Sequence, residues 1–537
     1  MSLPRFLDRV IDAAVPVLGG LDRDAVRDRL GGASVTLRAG DVAAAGPGRA
    51  GFLLAANLAA RLYPRIRLAG PDELVRKAEG EIILVNPQAD VSVADEPTAA
   101  TLVYECPADE GDAAVAVFAR GWNVYVDDAG DADEPGTVPA ALAAAALGIG
   151  ELFRIVFAAE LEARGRHERQ PGGFNLVTLG EPAPGLSLPD QLDVGRFNLV
   201  GAGAIGQAAV RTLAEAGIVA TMVAVDPEKV ALSNLQRYVL TRDTDVGAVK
   251  ADLLRERLAK SGIEVVPVAS EWSALLVDGQ RPTLVALDSP EARIGLQASL
   301  PGPIYNAWTQ PADVGWSRHE RFGDDPCLAC LYWPDHERPS RHEQIAAAFR
   351  QHPLRVLAYL VQHRPVSLPL PPGGVPVLPG VEVPPEAEQW TQRAILEDIA
   401  DAAGTAVSEL ANWRERELAD LYQEGICGGA LLYLDVGEAP RELLVPLAHQ
   451  SAFAGVMLAT EFIVAQVPEL RATRAEAVEG RYDILAGLPQ VLARPRARTA
   501  GCLCGDAVFL DVYRGKFDER PEGAEPAAIE TGEDKVA

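Results

Sequence analysis

The chain has 537 residues, 48% of them hydrophobic and 23% charged, with a net charge of −27. That length exceeds what one hydrophobic core serves, so two large domains with insertions are expected. The acid excess argues against nucleic acid or an anionic membrane as partner, and six cysteines in a chain this long do not make a disulfide framework.

The first twenty residues, MSLPRFLDRVIDAAVPVLGG, carry charges inside an apolar helical periodicity, which predicts an amphipathic helix in place of a signal peptide. No run of about eighteen uncharged apolar residues occurs, so no membrane span is predicted and the cytoplasm is the expected compartment. Gly46-Pro47-Gly48-Arg49-Ala50-Gly51 has GxGxxG spacing, precedes a helical stretch at 52–62, and is followed by a strand-like run at 65–69. At 144–161, AAALGIGELFRIVFAAEL reads as an apolar helix carrying Glu151 ahead of an aromatic. Residues 1–167 thus read as an α/β domain, and 168–190, with its Pro and Gly, as a linker.

The stretch from 197 to 250 is the most informative. A short apolar strand at 197–200 enters Gly201-Ala202-Gly203-Ala204-Ile205-Gly206. An amphipathic helix follows to about Ala216, and a second apolar run at 219–225 ends on Asp226. The glycines let backbone approach a nucleotide, the helix N-terminus favours its phosphates, and the strand-end carboxylate is placed for ribose hydroxyls. Such a unit serves NAD as readily as ATP. The residues beyond it decide: Ser233-Asn234-Leu235-Gln236-Arg237, then Lys250, then a strand at 284–287 ending on Asp288, with Arg293 a turn later. An NAD site has no use for two cations past the ribose acid. A triphosphate with magnesium needs cations to neutralise phosphate and an acid to hold the metal.

In this order and spacing, GxGxxG, D, SNLQR, DxGxxK (Asp245 to Lys250) and LDSxxxR resemble the adenylation domain of ubiquitin-activating enzymes and their bacterial ThiF/MoeB relatives. The resemblance covers 191–312 and resumes at 444–467. It implies an α/β fold with a Rossmann-like adenylation domain, a mostly parallel sheet flanked by helices. It also implies ATP and Mg²⁺ as ligands. Gly201, Gly203 and Gly206 would admit the nucleotide, Asp226 would hold the ribose, Asn234, Arg237 and Lys250 would meet phosphates, and Asp288 would hold Mg²⁺. Ubiquitin-activating enzymes pair an active with an inactive half, so residues 1–167 are expected to be a degenerate copy. Counted from its first glycine, Pro71 replaces the ribose acid, and SNLQR and the lysine have no counterpart. At the far end, SAFAGVMLATEFIVAQV at 451–467 repeats the texture of 144–161. In the family an arginine near the start of the inactive half reaches ATP; Arg5, Arg9 and Arg27 are the local choices.

The adenylation domain is expected over 191–345 and again over 431–514. Cys327-Leu328-Ala329-Cys330 and Cys502-Leu503-Cys504 form two close pairs that suggest a structural Zn²⁺ with four thiolate ligands. The second pair departs from the C-x-x-C usual in the family. Between them lies an insertion, 346–430: a helical stretch at 349–363, a Pro-rich stretch at 365–388 unable to build core, and an amphipathic helix at 389–422. Near its end stands Cys427, flanked by Gly425, Gly428 and Gly429. In the family this place holds the cysteine that takes the activated carboxyl. Flanking glycines permit close approach and movement, and the step asks for an accessible thiolate. Cys106, among acids, and His449, beside the returning helix, are expected to be structural. The acidic stretch 515–537 is expected to be a disordered tail.

The resemblance implies adenylation of the C-terminal glycine of a small ubiquitin-like β-grasp protein. The acyl group would then pass to Cys427 as a thioester and on to a conjugating enzyme. The thiamin and molybdopterin sulfur-carrier enzymes are compact single adenylation domains. The extra half and the insertion resemble the conjugating enzymes, including those of bacterial antiviral defence islands. Sulfur-carrier activation and a non-catalytic scaffold are the alternatives.

Overall fold

Short aliphatic runs ending in small or acidic residues build two mostly parallel sheets, one in each half of the chain. The computed structural model describes residues 6–18, 21–93, 98–108, 113–130, 134–162, 171–184, 187–273, 278–310, 313–333, 446–483 and 493–517.

In the first half α1 (Leu7–Val17) and α2 (Arg23–Gly32) lead into β1 (Ser34–Ala39), α3 (Gly46–Leu62), β2 (Arg65–Ala69), α4 (Asp72–Val85) and β3 (Asp90–Val93). Then come β4 (Ala100–Tyr104), β5 (Ala114–Arg120), β6 (Asn123–Val126), α5 (Val138–Val156), α6 (Ala158–Glu162) and β7 (Gly172–Asn175). The second half runs β8 (Leu192–Val200), α7 (Ala204–Glu215), β9 (Ile218–Val225), α8 (Lys250–Leu258), β10 (Ile263–Val268), β11 (Thr283–Val285) and α9 (Pro290–Ala298). It continues with β12 (Ile304–Thr309), β13 (Val314–His319), α10 (Leu328–Tyr332), α11 (Ala448–Gln466), α12 (Pro468–Thr473), β14 (Glu479–Tyr482), β15 (Ala493–Arg494) and α13 (Ala507–Phe517).

The first sheet has the order β3-β2-β1-β4-β5-β6-β7 and the second β10-β9-β8-β11-β12-β13-β14-β15. In each, pairing is parallel through the fifth strand and antiparallel after it. The first seven strands of the second sheet therefore repeat the order of the first, β15 being added at the edge, with α3 and α7, α4 and α8, and α5 and α11 at matching places in the chain. Doubly covered parallel strands read as continuous apolar runs, and every residue of β5 is buried. The two halves share one core, in which α11 packs on α7 and on α5. Among the described helices only α5 is long and apolar enough to cross a membrane, and 89% of that apolar window is buried in the protein.

Two local readings differ from the structure. The Gly46–Gly51 cluster is not a strand-to-helix turn, because α3 begins on Gly46 itself and the turn is the short 3-10 segment Asp41–Ala44. A Cβ at Gly51 would lie 1.8 Å from the Tyr104 hydroxyl and 2.7 Å from the Ala141 carbonyl, so this glycine lets α3 close on β4 and α5. Where β9 is followed by Asp226, β2 is followed by Gly70, not Pro71. The other difference concerns 168–190, the span read as linker, which contains β7, the last strand of the first sheet. The expectations for 346–430, including Cys427, and for most of the acidic tail lie outside the described residues.

Candidate functional site

The turn after β8 is held open by backbone crowding that excludes side chains. Gly201 has φ +97°, and a Cβ there would stand 2.5 Å from the Ala286 carbonyl. A Cβ on Gly206 would stand 2.1 Å from the Gly201 carbonyl. Gly203 is the N-cap of α7, so the unpaired amides of that helix point out of the turn. Asp226, at the end of β9, faces the same turn: Oδ2 accepts from the Ala202 amide at 2.7 Å and Oδ1 from the Glu228 amide at 2.8 Å. Burial raises its pKa against the pull of Lys250 and of those two amides.

The segment after β9 brings the cations in. A 3-10 turn, Leu232–Gln236, carries Asn234, whose Oδ1 accepts from the Ala231 amide at 2.9 Å, and leads into Arg237. That turn does not use the donor end of the Asn234 amide, the end a phosphate requires. Lys250, the first residue of α8, is 2% exposed and ion-paired to Glu228. Its Nζ lies 5.2 Å from the ring centroid of Tyr238, and the Arg237 guanidinium lies 5.6 Å from the same ring. Burial alone would depress the Lys250 pKa; Tyr238, Asp226 and Glu228 together outweigh it and hold the ammonium above its ordinary value. Asp288 is exposed, two residues beyond the Ala286 carbonyl that crowds Gly201. Arg293 braces this loop from beneath by donating to the Leu287 carbonyl and, at 3.2 Å, to that of Ala307.

The structure thus gathers Gly201, Gly203, Gly206, Asp226, Asn234, Arg237, Lys250 and Asp288 at the carboxyl ends of β8, β9 and β11, where open α/β sheets bind ligands. Sequence reasoning passed over Glu228, Tyr238 and Gln207. The first two stand beside motif residues. Gln207 is fully buried and links the turn to the cation segment: its Nε2 donates to the Ala202 carbonyl at 3.3 Å, and its Oε1 accepts from the Leu240 amide and the Thr241 hydroxyl, each at 3.0 Å. Of the three arginines considered from the first half, Arg5 lies outside the described residues. Arg9 is buried on α1, which packs on the Leu232–Gln236 turn. Arg27 is bonded to Asp8 at 2.7 Å and Asp24 at 3.0 Å.

Residues 334–445 form a stretch outside the described residues. Before it, Tyr332 accepts from Asn306 at 3.3 Å and stacks edge-on with Trp308, while its ring lies 4.7 Å from the Arg293 guanidinium. After it, the Pro446 carbonyl accepts from Gln236 Nε2 at 3.1 Å.

The four paired cysteines converge elsewhere. Cys327, the N-cap of α10, and Cys330 within it meet Cys502, the N-cap of the 3-10 turn Leu503–Gly505, and Cys504 within it, with all four sulfurs within 4.8 Å of one another and buried. The close pairs stand 3.9, 3.6 and 3.4 Å apart. Thiolates at about 2.3 Å from a tetrahedral zinc stand about 3.8 Å apart, so the donor set fits Zn²⁺, and the C-x-C pair reaches as well as the C-x-x-C pair. The Thr499 amide donates to Cys330 Sγ at 3.4 Å, a supporting contact of the kind metal thiolates take. Cys106 is half-buried against Val103, Ala116 and Phe118. His449 is fully buried 6.2 Å from the Phe153 ring, and burial lowers its pKa to about 3.

The ThiF family pattern matches residues 183–294. Over nearly its whole length the chain is similar to uncharacterized protein y4jF of Sinorhizobium fredii, 30% identical over 548 residues, 97% of this chain and 98% of that one. It is 36% identical over 180 residues to the NEDD8-activating enzyme E1 catalytic subunit of Arabidopsis thaliana, covering 30% of this chain and 39% of that protein. It is 38% identical over 93 residues to the molybdopterin-synthase adenylyltransferase of Escherichia coli, 17% of this chain and 35% of that protein. The chain thus spans well under half of either characterised relative.

Proposed function

This chain belongs to the ThiF and ubiquitin-activating enzyme superfamily, and on that premise we propose that it activates the C-terminal carboxylate of a ubiquitin-like protein. The observation that carries the reading is the convergence of Asp226, Arg237, Lys250 and Asp288 on the glycine turn at the strand ends. ATP would lie with its ribose on Asp226 and its phosphates facing Arg237, Lys250, Asn234 and the α7 amides. A carboxylate oxygen of the bound protein attacks the α-phosphorus, the bond to the β-phosphate oxygen breaks, and pyrophosphate leaves. Little covalent chemistry falls to the chain; it orients the two reactants and neutralises charge. Asp288 would hold Mg²⁺, a hard cation that suits a carboxylate and supplies charge between phosphate oxygens.

The second step would use Cys427: its thiolate attacks the acyl carbon, AMP leaves, and the resulting thioester passes to a conjugating enzyme. What supports this step is that Pro446, the first described residue after the insertion, accepts from Gln236, next to Arg237. Cys327, Cys330, Cys502 and Cys504 would hold Zn²⁺ as a structural staple between α10 and the segment before α13. A closed four-thiolate set leaves no position for chemistry. Sulfur-carrier activation is the second reading, favoured by the likeness to the molybdopterin-synthase adenylyltransferase.

The test is intact-mass analysis of the full chain mixed with ATP, Mg²⁺ and a ubiquitin-like protein encoded near it. A thiol-sensitive adduct of one partner mass, lost in Cys427→Ala and Asp288→Ala, is expected. An acyl-adenylate without any adduct would overturn thioester transfer in favour of the sulfur-carrier reading. Absence of both products would remove the activation reading.

A further inference from the structure

The first half of the chain sends one fully buried arginine into the second. Arg61, in the last turn of α3, is 0% exposed. One terminal nitrogen donates to the Leu235 carbonyl and the other to the Thr241 carbonyl at 3.3 Å. Its Nε donates to Asn57 Oδ1 at 3.1 Å, and Asn57 Nδ2 reaches the Val239 carbonyl, also at 3.1 Å. Two side chains of the first half therefore hold three carbonyls of the segment that carries Arg237 and Tyr238.

The bonds continue into the nucleotide turn. Thr241 Oγ1 donates to Gln207 Oε1 at 3.0 Å, Gln207 Nε2 donates to the Ala202 carbonyl at 3.3 Å, and the Ala202 amide donates to Asp226 Oδ2 at 2.7 Å. Arg61, Thr241, Gln207 and Asp226 are all 6% exposed or less, so water does not replace any of these bonds cheaply. A guanidinium is a costly group to bury. Asp226 or Lys250 can be explained by a ligand, but the hydrogen bonds of Arg61 go to backbone carbonyls and to Asn57, which also donates to the nearby countercharge Glu81 at 3.2 Å. The cost is understandable if the fixed backbone is what matters.

We propose that Arg61 is a positioning residue for the nucleotide site: it sets the 235–241 backbone, and through it both Arg237 and the Gly201–Gly203 turn. The first half then contributes to ATP binding without touching ATP through this residue. This rests on the adenylation reading of the site.

The test is titration of the full chain with ATP and Mg²⁺ in a double-mutant cycle of Arg61→Met and Arg237→Ala, with thermal melts alongside. Arg61→Met is expected to weaken ATP binding about tenfold in the native background and about twofold in the Arg237→Ala background, because Arg237 is part of what Arg61 positions. Arg61→Lys, which keeps a donor for the Leu235 carbonyl, should recover part of the loss; if Arg61→Met does not fold, Arg61→Lys carries the same cycle. A lower melting temperature with unchanged ATP affinity would make Arg61 a mere brace and overturn the proposal. So would equal losses in both backgrounds. A native chain that binds no ATP would instead overturn the reading of the site, and this proposal with it.

Discussion

Gly206→Ala isolates the glycine turn after β8 with the smallest possible change. The added methyl would sit 2.1 Å from the Gly201 carbonyl oxygen, a backbone atom that cannot swing away. Non-bonded carbon and oxygen settle more than about 3 Å apart, so the turn and the start of α7 must separate by about 1 Å. Overpacking of this kind costs about 1–3 kcal/mol of stability. The displacement also strains the 2.7 Å bond from the Ala202 amide to Asp226, and a buried carboxylate that loses one donor loses about 1–3 kcal/mol. ATP affinity should fall by about tenfold or more. Gly295→Ala is the control: it lies exposed within α9 with nothing within 4 Å of a new Cβ, so it should stabilise by about 0.5–1 kcal/mol and leave ATP binding unchanged. Urea denaturation and calorimetric ATP titration of both variants read the comparison. Gly206→Ala binding ATP as the native chain does would refute the argument that this turn cradles the nucleotide.

Metal analysis of the purified chain should find one zinc, and Cys330→Ser should lose it along with a large part of the melting temperature; a metal-free native chain of unchanged stability would contradict the four-thiolate assignment. The pH dependence of stability should carry a signature of His449. Its pKa is lowered from 6.5 to about 3 by burial, so the unfolded chain binds the extra proton first and stability falls as pH drops from 6.5 towards 3. The slope from this residue approaches about 1.4 kcal/mol per pH unit, and it should vanish in His449→Phe, read by denaturation between pH 7 and pH 5. An unchanged acid limb in the variant would show that other groups carry it.

The glycine turn after β8 was legible in the sequence because its causes are local. Glycines at 201 and 206 answer backbone crowding within a few residues, and a strand-end acid follows from the apolar run before it. The same spacing at 46–51 misled, because Gly51 answers a contact with Tyr104 and Ala141, far away in the chain, and no local pattern separates helix packing from a phosphate turn. The shared strand order of the two sheets was foreshadowed by the glycine echo at 46–51, by the resemblance to enzymes with paired halves, and by the likeness of 144–161 to 451–467, stretches that fall largely in α5 and α11. Arg61 and Gln207 were invisible for a plainer reason. An arginine at a helix end looks like solvated surface until the other half of the chain covers it, and a glutamine after a glycine does so until the 240–241 segment of its own half folds onto it.

The claim that this site activates a carboxylate is tested most directly by isotope exchange between pyrophosphate and ATP. The account predicts exchange that requires Mg²⁺ and a ubiquitin-like protein with an intact C-terminal glycine, and that is lost in Lys250→Met and Asp226→Ala. ATP binding without exchange, across the ubiquitin-like proteins encoded near the chain, would contradict it and leave a nucleotide-binding scaffold.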